Sequence, residues 1–232
     1  MTADPVAASA DWLRAVRRGG TGREHETALR DWPRGDLRAA LDTDDARLAL
    51  WTNVYNAAAQ SVLAASPEAY SEGRSAFFGA PIVTVAGRDL SLDDVEHGLL
   101  RRSHPKWTLG YVANPVAGAY ERAFRVRERD PRVHFALNCG AAACPPVAAY
   151  TRDGIDAELD AATASYLDTE VEYDAEGDVA RVPRLMLWFR GDFGGRDGIL
   201  AMLREFDAIP AGASPRLRYR AYDWSLDAGN WG

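Results

Sequence analysis

The sequence predicts an α+β fold, a predominantly helical single domain with a small, mainly antiparallel sheet. Two observations predict it. A long run from Asp45 to Ala65 carries Leu48, Trp51, Val54, Tyr55, Val62 and Leu63 at roughly helical spacing. Elsewhere, short β-branched runs sit between turn-forming residues, enough for a few brief strands.

The elements follow in order. Trp12, Leu13 and Val16 mark an amphipathic first helix that Gly19-Gly20 ends. A short helical piece spans about Glu24 to Trp32, and Asp44 caps the long helix, which Pro67 follows. Pro81 to Ala86 reads as a short strand, with Gly87-Arg88 as a turn. Ser91-Leu92-Asp93-Asp94 resembles a capping box with Asp in place of Glu, so a helix should run from there to about Arg101. Asn114-Pro115 opens a helix through Phe124, and Asp130-Pro131 precedes an expected strand, Arg132 to Asn138. A helix is expected near Asp153 to Asp168. Thr169–Tyr173 and Val179–Val182 flank the turn cluster Asp174 to Asp178, the pattern of a hairpin. Leu185–Phe189 and Ile199–Phe206 read as helices around Gly194-Gly195, and Arg216–Tyr222 alternates like a last strand.

The 232 residues suit one large domain, in which residues 1–44 form a helical N-terminal extension packed on a core at 45–232. Apolar residues make up 47%, and the net charge is −7. Lys106 is the only lysine among the 27 cationic side chains. An acidic surface lacks the basic area that displaces counterions from nucleic acid or docks on anionic membranes, so neither is an expected partner. Met1 to Pro5 has no basic or apolar leader region, and no apolar run is long enough to span a bilayer. The expected location is cytoplasmic. In that reducing compartment two cysteines are expected as free thiols, metal ligands or a catalytic residue rather than a structural disulfide.

Both cysteines lie in His134-Phe135-Ala136-Leu137-Asn138-Cys139-Gly140-Ala141-Ala142-Ala143-Cys144-Pro145-Pro146. Cys139 closes the expected strand and precedes Gly140. There a turn with free backbone N–H groups would lower a thiol pKa and hold an oxyanion. A small buried hydrophobe is the plainer role for such a residue. Cys144 follows at C-x4-C spacing, compatible with zinc, a local disulfide, a resolving thiol or packing under Pro145-Pro146.

A nucleophilic thiol needs a base. In a regular strand His134 and Cys139 point to opposite faces and lie about 16 Å apart, so a core histidine is the plainer role for His134. His97 is the better candidate base: Asp93 and Arg101 fall four residues either side of it on one helical face, Asp93 to orient the imidazole and Arg101 to repel its protonated form. A surface ion-pair network is the alternative there, and Glu96 could be a buried carboxylate paired with Arg101 or Arg102. Asn53 and Asn56 are poor helix formers three apart on one face of an apolar helix. They imply buried hydrogen bonding, either to the loop after Cys139 or to a substrate.

These pieces together resemble the family known as domain of unknown function 547. The resemblance rests on Trp51 to Asn56, on Leu90 to His97 with Leu100-Arg101, and on His134 to Pro146, with echoes at Leu187 to Phe193 and Tyr222 to Leu226. It implies one domain and supplies no activity. It marks Asn53, Asn56, Glu96, His97, Arg101, His134, Asn138, Cys139 and Cys144 as the family's characteristic polar set in this chain. Ala141-Ala142-Ala143 departs from the Ser or charged residue that members often carry there, which argues against a catalytic side chain within that loop.

Three readings follow. In the first, a cysteine-dependent hydrolase or acyl transferase acts on an amide or ester of an unidentified small molecule or peptide, without a cofactor. Cys139 is then the nucleophile, His97 the base, and Glu96 or Asn53 an orienting group. In the second, Cys139, Cys144, His97 and His134 ligate zinc. In the third, the domain binds a partner without catalysis, and the polar residues knit its core.

Overall fold

The computed structural model describes residues 4–231. Its first helix, α1 (Pro5–Arg17), starts at Asp4, whose side chain accepts from the Val6 N–H, with Pro5 in the first turn where no amide donor is needed. Then come α2 (Arg23–Arg30), α3 (Arg34–Ala40) and the long α4 (Asp44–Ala65). Thr43 rather than Asp44 caps α4, accepting from the Ala46 N–H. Every residue of α4 from Ala46 to Gln60 is buried, so the helix is enclosed on all sides and acts as the spine of the core. α1 packs along it.

After α5 (Glu68–Glu72) and α6 (Arg74–Gly79), β1 (Val83–Val85) and β2 (Arg88–Leu90) form an antiparallel hairpin with Val83 opposite Leu90. Ala86 and Gly87 turn it with positive φ at both, the twist that two-residue hairpins favour. Ser91 and Asp94 make the expected capping box: Ser91 N–H donates to the Asp94 carboxylate, and Asp94 N–H donates to Ser91 Oγ. The segment it opens, Asp94–Leu100, is wound as a π-helix, with Arg101 N–H reaching back to the Glu96 carbonyl.

α7 (Ala119–Phe124) is shorter than the expected helix and begins after the Asn114-Pro115 turn. The expected strand at Arg132 to Asn138 is absent. Pro131–Phe135 is a 3-10 helix, because the Asp130 carboxylate accepts from the Arg132 N–H and Pro131 presets the first helical φ. The irregular chain that follows holds both cysteines.

α8 (Ile155–Glu170) leads into β3 (Glu172–Asp174) and β4 (Val179–Val182), the expected hairpin. α9 (Leu185–Trp188) and α10 (Gly195–Glu205) come before β5 (Arg216–Tyr219), which pairs in parallel with β4. The sheet order is β3-β4-β5. This α+β architecture carries one core around α4 and a second, smaller one around β4, α8 and α10. No helix among the described residues is long and apolar enough to cross a membrane.

The chain after β5 straps down the cysteine loop. Ala142 N–H donates to the Ser225 carbonyl, Ala143 N–H to that of Asp223, and Asp227 N–H to that of Gly140. Trp224 and Trp231 pack partly buried against the α4 core.

Candidate active site

A cleft of about 370 Å³ opens where α4, the π-helix, the 3-10 segment, α9 and the C-terminal strap meet. Cys139, Cys144, Glu96, His97 and His134 all line it, and so does Tyr55 of α4. The aromatic rings of Trp107, Trp188, Phe189 and Trp224 also line it.

The asparagines of α4 clamp backbone behind the cleft rather than line it. Asn56 Oδ1 accepts from the Asn138 N–H and its amide donates to the Ala136 carbonyl, both at 2.9 Å. Asn53 grips the backbone of Tyr150 in the same way, N–H and carbonyl each at 2.8 Å. Of the two uses open to these amides, the loop around Cys139 takes Asn56. Asn138, wholly buried, carries the order onward: its amide donates to the Pro145 carbonyl at 2.7 Å, and its oxygen accepts from Gly140 N–H and Gln60 Nε2.

That loop brings the two sulfurs to 3.2 Å, as free thiols. Cys144 Sγ also receives the Cys139 N–H and the Tyr222 hydroxyl, each at 3.3 Å. These donors favour negative charge on Cys144. The hydrogen bond from Cys139 pulls its pKa down to about 7, against burial and with help from Tyr222 and backbone N–H groups. Cys139 goes the other way: its bond to Cys144 and its burial push it up. The N–H of Cys139 and the Tyr222 hydroxyl beside Cys144 favour the proton on Cys139 and the charge on Cys144. Of the amides expected free beside Cys139, those of Gly140, Ala142, Ala143 and Cys144 donate within the fold, while the Ala141 N–H faces the sulfurs and lowers the pKa of each.

His97 sits between Asp93 and Arg101, as its spacing implies, but both of its nitrogens are engaged. Arg101, which can only donate, lies 2.8 Å from Nδ1, so that nitrogen accepts and the ring proton belongs on Nε2, 3.4 Å from Asp93. Burial opposes ionisation of Asp93, but hydrogen bonds from His97 and Lys106 outweigh it and hold its pKa at about 2. The Glu96 carboxylate is 3.6 Å from His97 Nδ1.

His134 is arranged differently. Its Nε2 is 2.9 Å from Asp192 Oδ2, its ring stacks on Phe189 at 4.1 Å, and no described residue hydrogen-bonds Nδ1. Burial lowers the His134 pKa although Asp192 opposes it, so the ring is neutral, with Nε2–H on Asp192 and a lone pair on Nδ1. Asp192, 2% exposed at its side chain, also binds Arg101 at 2.5 Å and Arg129 at 2.5 Å. Burial raises its pKa, but His134 and Arg101 outweigh that and hold the carboxyl well below the usual range. Gly110 and Gly191 let the chain approach this carboxylate: a Cβ on Gly110 would strike Asp192, and one on Gly191 would strike the Gly110 backbone.

The family model described as "Protein of unknown function, DUF547" matches residues 39–167, more than half of the chain. The chain belongs to that family. No curated protein and no solved structure matches it. In this DUF547 protein the matched segment contributes Tyr55, Glu96, His97, His134 and both cysteines. Asp192, Tyr222 and Trp224 come from beyond it, as do the echoes at Leu187 to Phe193 and Tyr222 to Leu226. Sequence reasoning passed over Tyr55, Asp192 and Tyr222. Tyr55 lies inside the quoted Trp51 to Asn56 motif, where it read as a core residue. Asp192 follows a glycine in an aromatic run, a polar interruption that marks it in hindsight.

Among the described residues, no three His, Cys, Asp or Glu side chains are grouped so as to hold a metal ion. The set Cys139, Cys144, His97 and His134 shares a cleft, but Arg101 and Asp192 engage the imidazoles.

Tyr222→Phe tests where the charge lies. Burial and the nearby sulfurs hold the Tyr222 pKa far above its ordinary value, so the hydroxyl remains a donor. A hydrogen bond to a charged acceptor contributes about 1.5–3 kcal/mol. Its loss is expected to raise the Cys144 pKa by about one unit, equivalent to about 1.4 kcal/mol. Ultraviolet thiolate absorbance against pH measures this, and an unmoved midpoint argues against Tyr222 as a donor.

Proposed function

We propose that this protein is a thiol-dependent acyl-transfer enzyme, a hydrolase or transferase acting on an amide or ester of a small molecule or peptide. The observation that carries the reading is a pair of thiols 3.2 Å apart that shares one aromatic cleft with a carboxylate-oriented imidazole. The Cys144 thiolate attacks the carbonyl carbon, and the Tyr55 hydroxyl, kept protonated by burial, faces the oxygen that gains charge. The leaving group departs with a proton from solvent, and a thioester remains on Cys144. His134 Nδ1 then takes a proton from an attacking water or acceptor alcohol, and the thioester opens to release Cys144 as thiolate. Asp192 positions His134. Cys139 holds the shared proton, while Glu96 and His97 line the opposite polar wall, with Arg101 linking His97 to Asp192. The aromatic walls favour an acyl group with an apolar or aromatic portion. A cytoplasmic location suits the chemistry, because a reducing compartment keeps both thiols free.

A phenylacetyl ester of p-nitrophenol tests the reading. The expected result is a cysteine-bound acyl adduct in the intact mass, lost in Cys144→Ser, with turnover reduced ~10²–10⁴-fold in His134→Ala. Turnover in the wild type should rise with pH through the Cys144 pKa of about 7, because the thiolate is the reacting form. Ester cleavage indifferent to both cysteines, or no adduct at all, overturns the proposal in favour of a noncatalytic binding domain.

A further inference from the structure

We propose that Cys139 and Cys144 are also a reversible dithiol–disulfide couple that reacts with small organic disulfides entering the cleft. The sulfurs are already 3.2 Å apart, little more than an ångström beyond the disulfide bond length of about 2.05 Å. They sit on one short loop with Gly140 at φ +92° just after Cys139, so the closing movement is local. The two sulfurs also differ in character. Cys144 accepts the Cys139 N–H and has the Cys139 sulfur and the Tyr222 hydroxyl within hydrogen-bond distance, which suits an attacking thiolate, whereas Cys139 has fewer such neighbours, which suits a resolving thiol. Both line the cleft, where Trp188 and Phe189 offer flat surfaces to an organic group on the incoming disulfide.

The exchange balances. Cys144 thiolate attacks one sulfur of R–S–S–R, an S–S bond breaks, and one RS⁻ leaves as a mixed disulfide forms. Cys139 then gives its proton to solvent and attacks the Cys144 sulfur, which forms the Cys139–Cys144 bond and releases the second RS⁻. Two protein thiols are oxidised and one small disulfide is reduced to two thiols. The oxidised cleft holds no thiolate, so this exchange would switch off the acyl transfer proposed above. The exchange itself does not depend on that activity.

The test exposes reduced protein to oxidised glutathione at neutral pH, blocks the remaining thiols with iodoacetamide, and reads the intact mass. The expected product is a protein lighter by two hydrogens and without alkyl groups, restored by dithiothreitol. Cys139→Ser should instead stop at a stable glutathione adduct on Cys144, and Cys144→Ser should react far more slowly than wild type. Two alkylated cysteines after exposure of the wild type, which needs no variant to fold, overturn the proposal. So does a Cys144→Ser variant that reacts as readily as wild type. Absence of ester turnover leaves this mass readout untouched, so the two proposals fail separately.

Discussion

Asp192→Ala is expected to lose about 3–5 kcal/mol of folding stability, because it strips the partner from a buried guanidinium. Arg101 is 1% exposed, and Asp192 is its only carboxylate partner among the described residues; its remaining bonds go to His97 Nδ1 and the His104 carbonyl. The same change frees His134 Nε2 and Arg129. For a chain of this size, about 2–4 °C of melting temperature accompanies each kcal/mol, so a fall of roughly 6–20 °C is expected. Asp192→Asn should recover little, since an amide fills the space without the charge. Arg132→Ala is the contrast. Its partners Asp130, Asp156 and Asp160 form a partly solvated cluster, for which a loss under about 1 kcal/mol is expected.

The pH dependence of stability has a defined sign. The folded pKa of Asp192 lies below its unfolded value of about 3.9, so its contribution is present above that pH and lost as pH falls toward the folded value. Asp93 behaves likewise down to about 2. The folded pKa of His134 is also below its unfolded value of about 6.5, so unfolding takes up a proton there and stability begins to fall below that pH. Denaturant midpoints against pH should show a shallow loss below about pH 6.5 and a steeper one below about pH 4. Asp192→Ala should flatten the steeper limb. A loss of stability no larger than that of Arg132→Ala would mean that Arg101 finds another partner.

The helices were legible because their signals are local. Leu, Trp and Val at helical spacing and the Ser91–Asp94 box each act within a turn or so of chain, although the cap of α4 is Thr43, one residue before the expected Asp44. The hairpin from Glu172 to Val182 was equally local. Arg132 to Asn138 read as a strand because Val and Phe suit one, but Asp130-Pro131 is a helix-start signal, and it prevailed. That error also set His134 aside as a base, since the objection to it assumed a strand's alternation. Cys139 and His97 line the same cleft. The chemistry of the imidazoles was not legible, because it depends on tautomers set by Arg101 and by Asp192, 58 residues from His134. Nothing local announces the π winding of Asp94–Leu100, or that β5 would pair in parallel with β4.

Asn138→Ala is the second substitution with a large expected effect, and it separates structure from chemistry. The side chain satisfies three buried groups at once, the Pro145 carbonyl, the Gly140 N–H and the Gln60 amide. Each unsatisfied buried group costs about 1–3 kcal/mol, so a total loss of about 3–5 kcal/mol is expected after partial relaxation. These bonds tie Pro145, next to Cys144, to Gly140, next to Cys139, so cutting them lets the sulfurs part. Cys144 then loses donors, its pKa rises from about 7, and alkylation at neutral pH slows. Asn53→Ala is the control: it removes a comparable grip on the Tyr150 backbone, and its hydrogen bonds among the described residues go to Ser9 and Tyr150. Both variants should unfold at lower urea concentration, but only Asn138→Ala should shift the thiol titration. If both shift it alike, the thiolate depends on the stability of the whole core and not on the Asn138 clamp.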